Sequence, residues 1–475
     1  MQYESERYQK ILQELMVKMW TVAEIRYEEF QSMDAMTTVL KEHGYQVETG
    51  VFGLPTAYRA VYGHGKPVIG LLAEYDALDG LSQQADVTEH RPRLETTHGH
   101  GCGHHLLGTG IVGAALLLKD YLDAHPNCGT IVVYGCPAEE NGSGKTYMAR
   151  AGAFRDIDVA LTWHPSSINA SMVGSMLANR QVYFRFHGIS SHAGAAPQKG
   201  RSALDAVELM NVGVNYLREH MEMTDRVHYA VLNTGGVSPN VVQSEAEVLY
   251  LIRSKTNESV KELYERVADI ARGAALMTGT TVEIQTDNAV SNVVPNNVLG
   301  QLMYDKMVQI GVPQYTDEER AYIKKFRDVI GKEAGDRDMG LLPEFDMDVR
   351  YQLCSTHPMG DFILPYAPKD VVVTASSDMG DVSRIAPLIQ LQCACFCLGT
   401  QPHSWVQVAQ GISSYALKGT LFAAQVLTEA AKELIKCPEL VMKAREENDQ
   451  RNGGAPYVCP IPPEIQPQIK QRDDL

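Results

Sequence analysis

Length, composition and net charge narrow the class of this protein before any motif is considered. The chain has 475 residues, which is longer than one ordinary domain, so more than one domain is expected. With 44% hydrophobic and 21% charged residues, it can build a large core. Its formal net charge of -16 at pH 7 excludes a general binder of nucleic acids or anionic membranes, because phosphate binding needs a basic surface. A substrate carboxylate would therefore need a few local arginines.

Three features bear on the cellular compartment. Residues 1–20 are charged and amphipathic, so no signal peptide is predicted. The longest apolar run, Leu106 to Leu118, is interrupted by glycines and is shorter than the about 20 residues that span a bilayer. The nine cysteines are odd in number and scattered, which favours reduced thiols over a disulfide framework. We expect a cytoplasmic protein with no membrane partner.

Helix-like and strand-like segments alternate in the first part of the chain. Helical periodicity over residues 5–43 is followed by strand 57–62, strand 68–73, helix 105–124, strand 130–136, helix 145–151 and strand 159–163. Short apolar strands separated by helices predict an α/β fold with a mainly parallel sheet covered on both faces.

The pattern changes near Leu177. The following segments are strand 181–187, helix 202–220, strands 227–234 and 245–253, helix 258–277 and strand 280–286. This order is that of a ferredoxin-like α+β unit. We predict that residues 177–292 form a separate small domain inserted into a discontinuous larger domain, residues 1–176 and 293–475.

The remaining segments are less regular. Strand-like residues 371–375 and 388–398 are expected to complete the large sheet, whereas 312–370, rich in charge, proline and glycine, has no clear assignment. The tail after Gly454 contains five prolines and is expected to be extended.

The densest chemical signal is the run from His98 to His105, with glycine at alternate positions. It holds four histidines and one cysteine just before a long predicted helix. Glycine lets a backbone come close to a ligand, and cysteine and histidine are common metal ligands. A flexible loop with incidental histidines is the alternative, but the density of ligands favours a metal site.

Three further signals follow predicted buried strands, where ligand sites of open parallel sheets lie. Glu139 and Glu140 follow strand 130–136, and two adjacent carboxylates can divide metal binding and proton transfer between them. His164 and His403 each end or follow a strand. A solvated acidic loop and structural histidines are the alternatives. The potential ligands, about what two metal ions need with a bridging group, are Cys102, His104, Glu140, His164 and His403.

Two other patterns are misleading. The run Gly142-Ser-Gly-Lys-Thr146 resembles a phosphate loop, but Glu139 stands where that motif requires its first glycine and would repel phosphate. Cys102 among histidines resembles a thiol nucleophile, yet that interpretation leaves the glutamate pair and the distant histidines unexplained.

At this point the motifs resemble a known family: the two-domain metallopeptidases and amidohydrolases that include aminoacylases, carboxypeptidase G and the indole-acetyl-amino-acid hydrolases. The similarity covers essentially the whole chain except about 312–370. The segments that carry it are 71–78 (LLAEYDAL), 99–104 (GHGCGH), 134–140 (YGCPAEE), 144–146 (GKT), 161–165 (LTWHP), 200–207 (GRSALDAV), 238–243 (SPNVVQ), 380–383 (GDVS) and 457–460 (YVCP).

The resemblance implies that the inserted domain, residues 177–292, is a lid or dimerisation domain and that the larger domain is catalytic. It also implies a role for each matching residue. It implies Cys102, His104, Glu140, His164 and His403 as metal ligands. It implies Glu139 as general base and acid, and His192 as a group that polarises the scissile carbonyl, commonly in the partner subunit's site. Asn240 and Arg253 match positions that hold substrate oxygens. For His192 the alternative is a surface histidine, and for Arg253 a structural salt bridge.

The resemblance also implies an activity. The expected reaction is hydrolysis of an amide bond to an amino acid, with p-aminobenzoyl-glutamate as the expected substrate and zinc or manganese as the metal. Many relatives have a histidine where this chain has Glu74, two residues before Asp76, which leaves open whether one or two ions bind.

Other interpretations within the family stay open. A dipeptidase or N-acyl-amino-acid hydrolase, and a subunit that needs a homologous partner, are the alternatives; a purely structural or zinc-storage protein fits poorly. The expected partners are a small substrate with a free carboxylate and a second subunit, either a copy of this chain in a homodimer or higher homo-oligomer or a homologous chain.

Overall fold

Two β-sheets of different kinds organise the chain in this computed structural model, which describes residues 4–331, 357–368 and 372–472. The strands are β1 Gln46–Thr49, β2 Tyr58–His64, β3 Val68–Ala73, β4 Gly129–Gly135, β5 Val159–Ser166, β6 Ala170–Ser171, β7 Ser175–Met176, β8 Ala178–His187, β9 Arg226–Asn233, β10 Glu245–Ser254, β11 Thr281–Val290, β12 Val372–Val373 and β13 Leu388–Ala394.

Helices cover both sheets. They are α1 Gln9–Val22, α2 Phe30–Glu42, α3 His104–Ala124, α4 Glu139–Gly142, α5 Gly144–Arg150, α6 Ala203–Leu217, α7 Asn257–Thr278, α8 Asn297–Ile310, α9 Asp317–Ile330, α10 Met379–Ser383, α11 Trp405–Gln410, α12 Ser414–Lys436 and α13 Pro438–Arg451. Among the described residues, none of these helices has the length and apolar character needed to cross a membrane.

The larger sheet has seven strands in the order β1-β2-β4-β3-β5-β13-β6. Its four central strands, β4, β3, β5 and β13, are parallel, whereas β1, β2 and β6 pair antiparallel at the two edges. The central strands are almost wholly buried because helices cover both faces, as is usual for parallel sheets. The predicted α/β class with a mainly parallel sheet is confirmed.

The smaller sheet is antiparallel, with the order β11-β8-β10-β9, and α6 and α7 pack on it around a separate hydrophobic core. The chain order β8-α6-β9-β10-α7-β11 is the ferredoxin-like arrangement predicted from the sequence. The sheet runs from Ala178 to Val290. The domain limits at residues 177 and 292 stay a prediction.

Some expectations for strands were wrong. The segment 371–375 does not extend the large sheet: Val372 and Val373 pair with β7 in a separate two-stranded sheet, and residue 371 lies outside the described residues. The edge strand β1 was not predicted, because its four residues are mostly exposed and lack an apolar pattern. In the unassigned stretch, residues 317–330 form the amphipathic helix α9.

Glycines in α3 allow this helix to lie unusually close to the sheet. A Cβ added to Gly110 would come within 2.6–2.7 Å of three indole atoms of Trp163 on β5. The same indole N–H donates a hydrogen bond of 2.9 Å to the carbonyl of Leu107. Gly110 therefore allows close packing of α3 on the sheet, whereas Gly113 packs against Leu12 of α1 and Ala424 of α12.

Replacing Gly110 with alanine is expected to lower the free energy of unfolding by about 1–3 kcal/mol, the usual cost of overpacking, even though alanine favours helix by about 1 kcal/mol. Urea unfolding measures this change. Gly273→Ala on α7 is the matched control, since no atom lies within 4 Å of its added Cβ, and it should be neutral or stabilising. Equal effects of the two substitutions would contradict the account.

Candidate metal centre

Four of the five residues predicted to bind metal line one cavity of about 480 Å³ at the carboxyl ends of the parallel strands, and the fifth, His104, is buried beside them. Cys102 and His104 lie at the start of α3, Glu140 follows β4, His164 is in β5, and His403 is in the loop after β13. His403 has φ of 55°, a left-handed conformation that its N–H supports by donating to the carbonyl of Gly101 at 2.9 Å.

All five predicted ligands have donor atoms close to one another. Cys102, His104 and His164 form one group, and Cys102, Glu140 and His403 form another, with all donor atoms of each group within 4.8 Å. The Sγ of Cys102 lies 3.3 Å from Nε2 of His164, and Nε2 of His403 lies 3.4 Å from Oε1 of Glu140. The structure therefore brings these five residues together, while their role as ligands stays a prediction.

Two buried atoms of this cluster bear on whether a metal fits. Nε2 of His104 lies 3.3 Å from Oε2 of Glu74, and Oε1 of Glu140 lies 3.4 Å from Nε2 of His403, but neither atom makes a hydrogen bond with a described residue. Buried polar atoms almost always make hydrogen bonds, so an imidazole nitrogen and a carboxylate oxygen that make none beside a thiol can accept another partner. Cysteine, histidine and glutamate are the ligand types of a zinc-like divalent ion, and the donor set fits such an ion.

Asp76 orients two members of the cluster from behind. Its Oδ1 lies 2.8 Å from Nδ1 of His104, and its Oδ2 accepts a hydrogen bond of 3.0 Å from the backbone N–H of Glu140. A carboxylate on one ring nitrogen directs the other nitrogen towards a metal, a common arrangement in metalloproteins. Asp76, only 1% exposed, is thus a supporting residue whose function sequence reasoning did not identify.

A buried lysine offsets part of the negative charge around the cavity. The ammonium of Lys145 lies 2.7 Å from Oε1 of Glu74 and 2.6 Å from Oδ1 of Asp378, and all three side chains are at most 2% exposed. Because the ammonium of Lys145 is paired with these carboxylates, it does not serve phosphate binding. This agrees with the prediction that residues 142–146 are not a phosphate loop. Glu74, with His104 and Glu139, forms a third group of closely spaced potential ligands.

The two adjacent glutamates differ in their electrostatic surroundings. Burial, followed by the charge of Glu74, raises the pKa of Glu139 well above its ordinary value. Burial also acts to raise the pKa of Glu140, but the contact with His403 and the other positive neighbours outweigh it and lower that pKa to about 2. Glu139 is therefore the carboxyl suited to carry a proton, and Glu140 the one suited to stay ionised.

The predicted substrate-binding residues fall into two places. Arg253 lines the cavity, donates to the carbonyl of Thr374 at 3.3 Å and forms no ion pair with any described residue. His192 and Asn240 are exposed on adjacent loops of the ferredoxin-like unit, and the N–H of Ala193 donates to the carbonyl of Asn240. Neither lines this cavity.

Comparison with known proteins identifies the family. The sequence model of Peptidase family M20/M25/M40 matches residues 70–436. The chain belongs to this family. It is 43% identical over 453 residues to one of the subunits of p-aminobenzoyl-glutamate hydrolase of Escherichia coli (strain K12), covering 95% of this chain and 94% of that protein. It is 35% identical over 293 residues to the Xaa-Arg dipeptidase of Mus musculus, covering 59% of this chain and 64% of that protein.

Solved structures share the fold. A dinuclear metal-binding peptidase from the M20 family of Bacillus subtilis superposes with a TM-score of 0.54 at 15% identity, covering 89% of this chain and 99% of the other. A putative aminohydrolase from Staphylococcus aureus gives a TM-score of 0.59 at 14% identity, covering 90% and 99%. The protein is a metal-dependent hydrolase of amide or peptide bonds, as the sequence predicted.

Replacing Glu139 with glutamine is expected to lower kcat by roughly 100-fold or more, because it removes the group proposed to move protons. Bound metal should be unchanged, since every proposed ligand is retained. Kinetics and elemental analysis of the same preparation measure both quantities. Glu265→Gln, an exposed glutamate of α7, is the control. Near-normal kcat in the Glu139 variant would remove Glu139 from its proposed role.

Proposed function

We propose that the protein hydrolyses the amide bond of N-aroyl amino acids, with p-aminobenzoyl-glutamate as the substrate and p-aminobenzoate and glutamate as the products. The observation that carries this proposal is the chemistry of the residues that line two sides, or walls, of the space beside the proposed metal ligands. One wall offers a cation and amide groups, which suits an amino-acid carboxylate, and the other is apolar, which suits an aromatic acyl group. The 43% identity to the hydrolase subunit of Escherichia coli supports the same substrate.

The polar wall is formed by the start of β8 and the end of β10. Arg253, Asn179 and Gln181 line the cavity there. Buried atoms Nε of Arg253 and Oδ1 of Asn179 have no hydrogen-bond partner in the described part of the chain. An arginine with free donors in a half-buried site is well suited to a carboxylate, which it can bind through two parallel hydrogen bonds. In a chain of such negative charge this local cation would select the substrate's free carboxylate.

The apolar wall is a second cavity of about 220 Å³ that shares Cys102 and His164 with the first. Its apolar lining comes from Ile168, Met172, Val173, Met176 and Phe396. Enclosed apolar space beside reactive groups favours a flat hydrophobic group, and methionines adapt well to an aromatic ring. The scissile carbonyl of a substrate placed this way would lie at the ligand cluster, between the two walls.

The proposed chemistry assigns a proton-transfer role to Glu139. Bound divalent ions would supply Lewis acidity, which would make water a stronger nucleophile near neutral pH and the scissile carbonyl more electrophilic. Glu139 takes a proton as water attacks the carbonyl carbon and delivers it to the leaving nitrogen when the C–N bond breaks. Arg253 holds the carboxylate of the leaving amino acid in place. Cys102, His104, Glu140, His164 and His403 would hold about two ions, zinc or manganese.

We also propose that the active assembly contains at least two subunits. In the described sheet β9 is an edge strand, and its Tyr229, Val231 and Leu232 are 40–51% exposed, which suits pairing with another chain. His192 and Asn240 lie on loops of the same unit and would reach a partner's cavity, where His192 could stabilise the developing oxyanion. The partner is a second copy or a homologous chain; two of the Escherichia coli relatives are named as different subunits of one hydrolase.

The cytoplasm is the proposed location. None of the eight cysteines in the described part of the chain forms a disulfide with another of them, and four are buried, as in proteins of reducing compartments.

A substrate panel tests the proposed activity. Purified protein with added zinc or manganese should cleave p-aminobenzoyl-glutamate faster than N-acetyl-glutamate or dipeptides, as measured by release of the free amino acid. Preference for dipeptides would favour the activity named for the mouse relative instead. Full activity only after addition of a homologous chain would show that the partner is a different subunit.

Filling the apolar cavity should change selectivity rather than abolish the chemistry. Met172→Trp is expected to lower kcat/KM for p-aminobenzoyl-glutamate by roughly tenfold or more while sparing N-acetyl-glutamate, because only the large acyl group needs the occupied space. Met223→Trp, at a methionine that is 93% exposed, is the control. Equal losses for both substrates in the Met172 variant would show that the acyl group lies elsewhere.

A further inference from the structure

The helical turn that contains Glu139 and Glu140 is flanked on both sides by a residue with an unfavourable backbone conformation. Helix α4 is a single turn, Glu139–Gly142, between β4 and α5. The residues on either side of it, Ala138 and Ser143, have φ of 56° and 54°. Residues other than glycine rarely adopt this left-handed conformation, and they keep it only where surrounding contacts hold it. The contacts that hold this turn therefore determine where the two glutamates point.

Two fully buried side chains from the loop between α1 and α2 contact the two ends of the turn. Oε1 of Glu29 accepts a hydrogen bond of 2.9 Å from the N–H of Ala138. The hydroxyl of Tyr27 donates a hydrogen bond of 2.6 Å to the carbonyl of Gly142. Both side chains are 0% exposed. The pair thus spans α4, with one hydrogen bond immediately before Glu139 and one at the last residue of the helix.

Close packing accompanies these hydrogen bonds. A Cβ added to Gly142 would lie 2.5 Å from Cβ of Ala138 and 2.9 and 3.1 Å from two ring atoms of Tyr27. The phenol ring therefore lies directly against the turn and leaves no space for it to shift. Asp76 adds a third contact, at the N–H of Glu140 in the middle of the turn.

We propose that Tyr27 and Glu29 are positioning residues that hold the α4 turn so that Glu139 faces the reacting groups. This inference rests on the proposed role of Glu139 as general base and acid. Proton transfer needs the carboxylate within hydrogen-bond reach of the attacking water, and a displacement of about 1 Å can cost on the order of 100-fold in rate. Neither residue lines the two cavities proposed to bind the substrate, so their loss should act on kcat rather than on KM.

A general effect on stability is the alternative, and the chain offers a matched control for it. Tyr45 is also buried, at 4% exposure, and its hydroxyl donates a hydrogen bond of 2.8 Å to the carbonyl of Ala115 on α3. Tyr45→Phe therefore makes the same chemical change as Tyr27→Phe, removing one buried hydroxyl from one backbone carbonyl, without affecting α4.

The kinetic test uses the full chain at saturating metal. Tyr27→Phe is expected to lower kcat by roughly tenfold or more with KM and metal content unchanged. Tyr45→Phe should show a similar loss of thermal stability with unchanged kcat. Glu29→Gln keeps an acceptor oxygen and should therefore retain more of kcat than Glu29→Ala. Equal kcat values for the Tyr27 and Tyr45 variants would overturn the proposal.

Hydrogen exchange provides a readout that does not depend on the substrate. Amides of residues 138–144 should exchange roughly tenfold faster in Tyr27→Phe than in the unaltered protein, and Tyr45→Phe should leave this segment unchanged. An unaltered protein that cleaves no substrate would refute the proposed function alone, because the exchange experiment would still test the turn. Equal exchange in all three proteins would refute the positioning role, whatever the activity.

Discussion

The carboxylate of Asp76 provides the contact on which the geometry of the cavity depends most. It is the common partner of His104, through the ring nitrogen that faces away from the cluster, and of Glu140, through that residue's backbone. One buried side chain at the end of β3 therefore fixes the relative position of ligands from two other elements, α3 and the α4 turn. The parallel sheet makes this possible, since it ends all its central strands at one edge.

Charge is the second constraint on this edge of the sheet. Five carboxylates, one lysine and one arginine lie in or beside the cavity: Glu74, Asp76, Glu139, Glu140, Asp378, Lys145 and Arg253. Burying ionised groups is costly unless opposite charge is close, and two cationic side chains do not match five carboxylates. Bound divalent cations would supply the missing positive charge. The charge of the cavity and the two buried atoms that make no hydrogen bond, Nε2 of His104 and Oε1 of Glu140, thus lead to the same inference of a metal centre.

The sequence alone predicted the site residues that stand directly after a recognisable buried strand. Buried strands ending in histidine or glutamate could be recognised one by one, and parallel topology then predicts that these ends meet. Contacts between distant segments could not be found this way: Glu29 reaches Ala138 across 109 positions, and no periodicity connects them. Tyr27 and Glu29 resemble ordinary helix-flanking residues in the sequence, and the segment around Lys145 gave no indication of its ion pairs with Glu74 and Asp378. His192 and Asn240 are exposed because of the conformation of two adjacent loops in the ferredoxin-like unit. A local sequence pattern does not determine the conformation of such loops.

Metal stoichiometry of the purified chain tests the central claim most directly, because the account requires Cys102, His104, Glu140, His164 and His403 to bind divalent ions together. Elemental analysis should find about two zinc or manganese ions per chain, and chelation should remove both the ions and amide hydrolysis, with recovery on adding metal back. A folded protein that binds no divalent ion under saturating conditions, or one that hydrolyses amides equally well without it, would contradict the account.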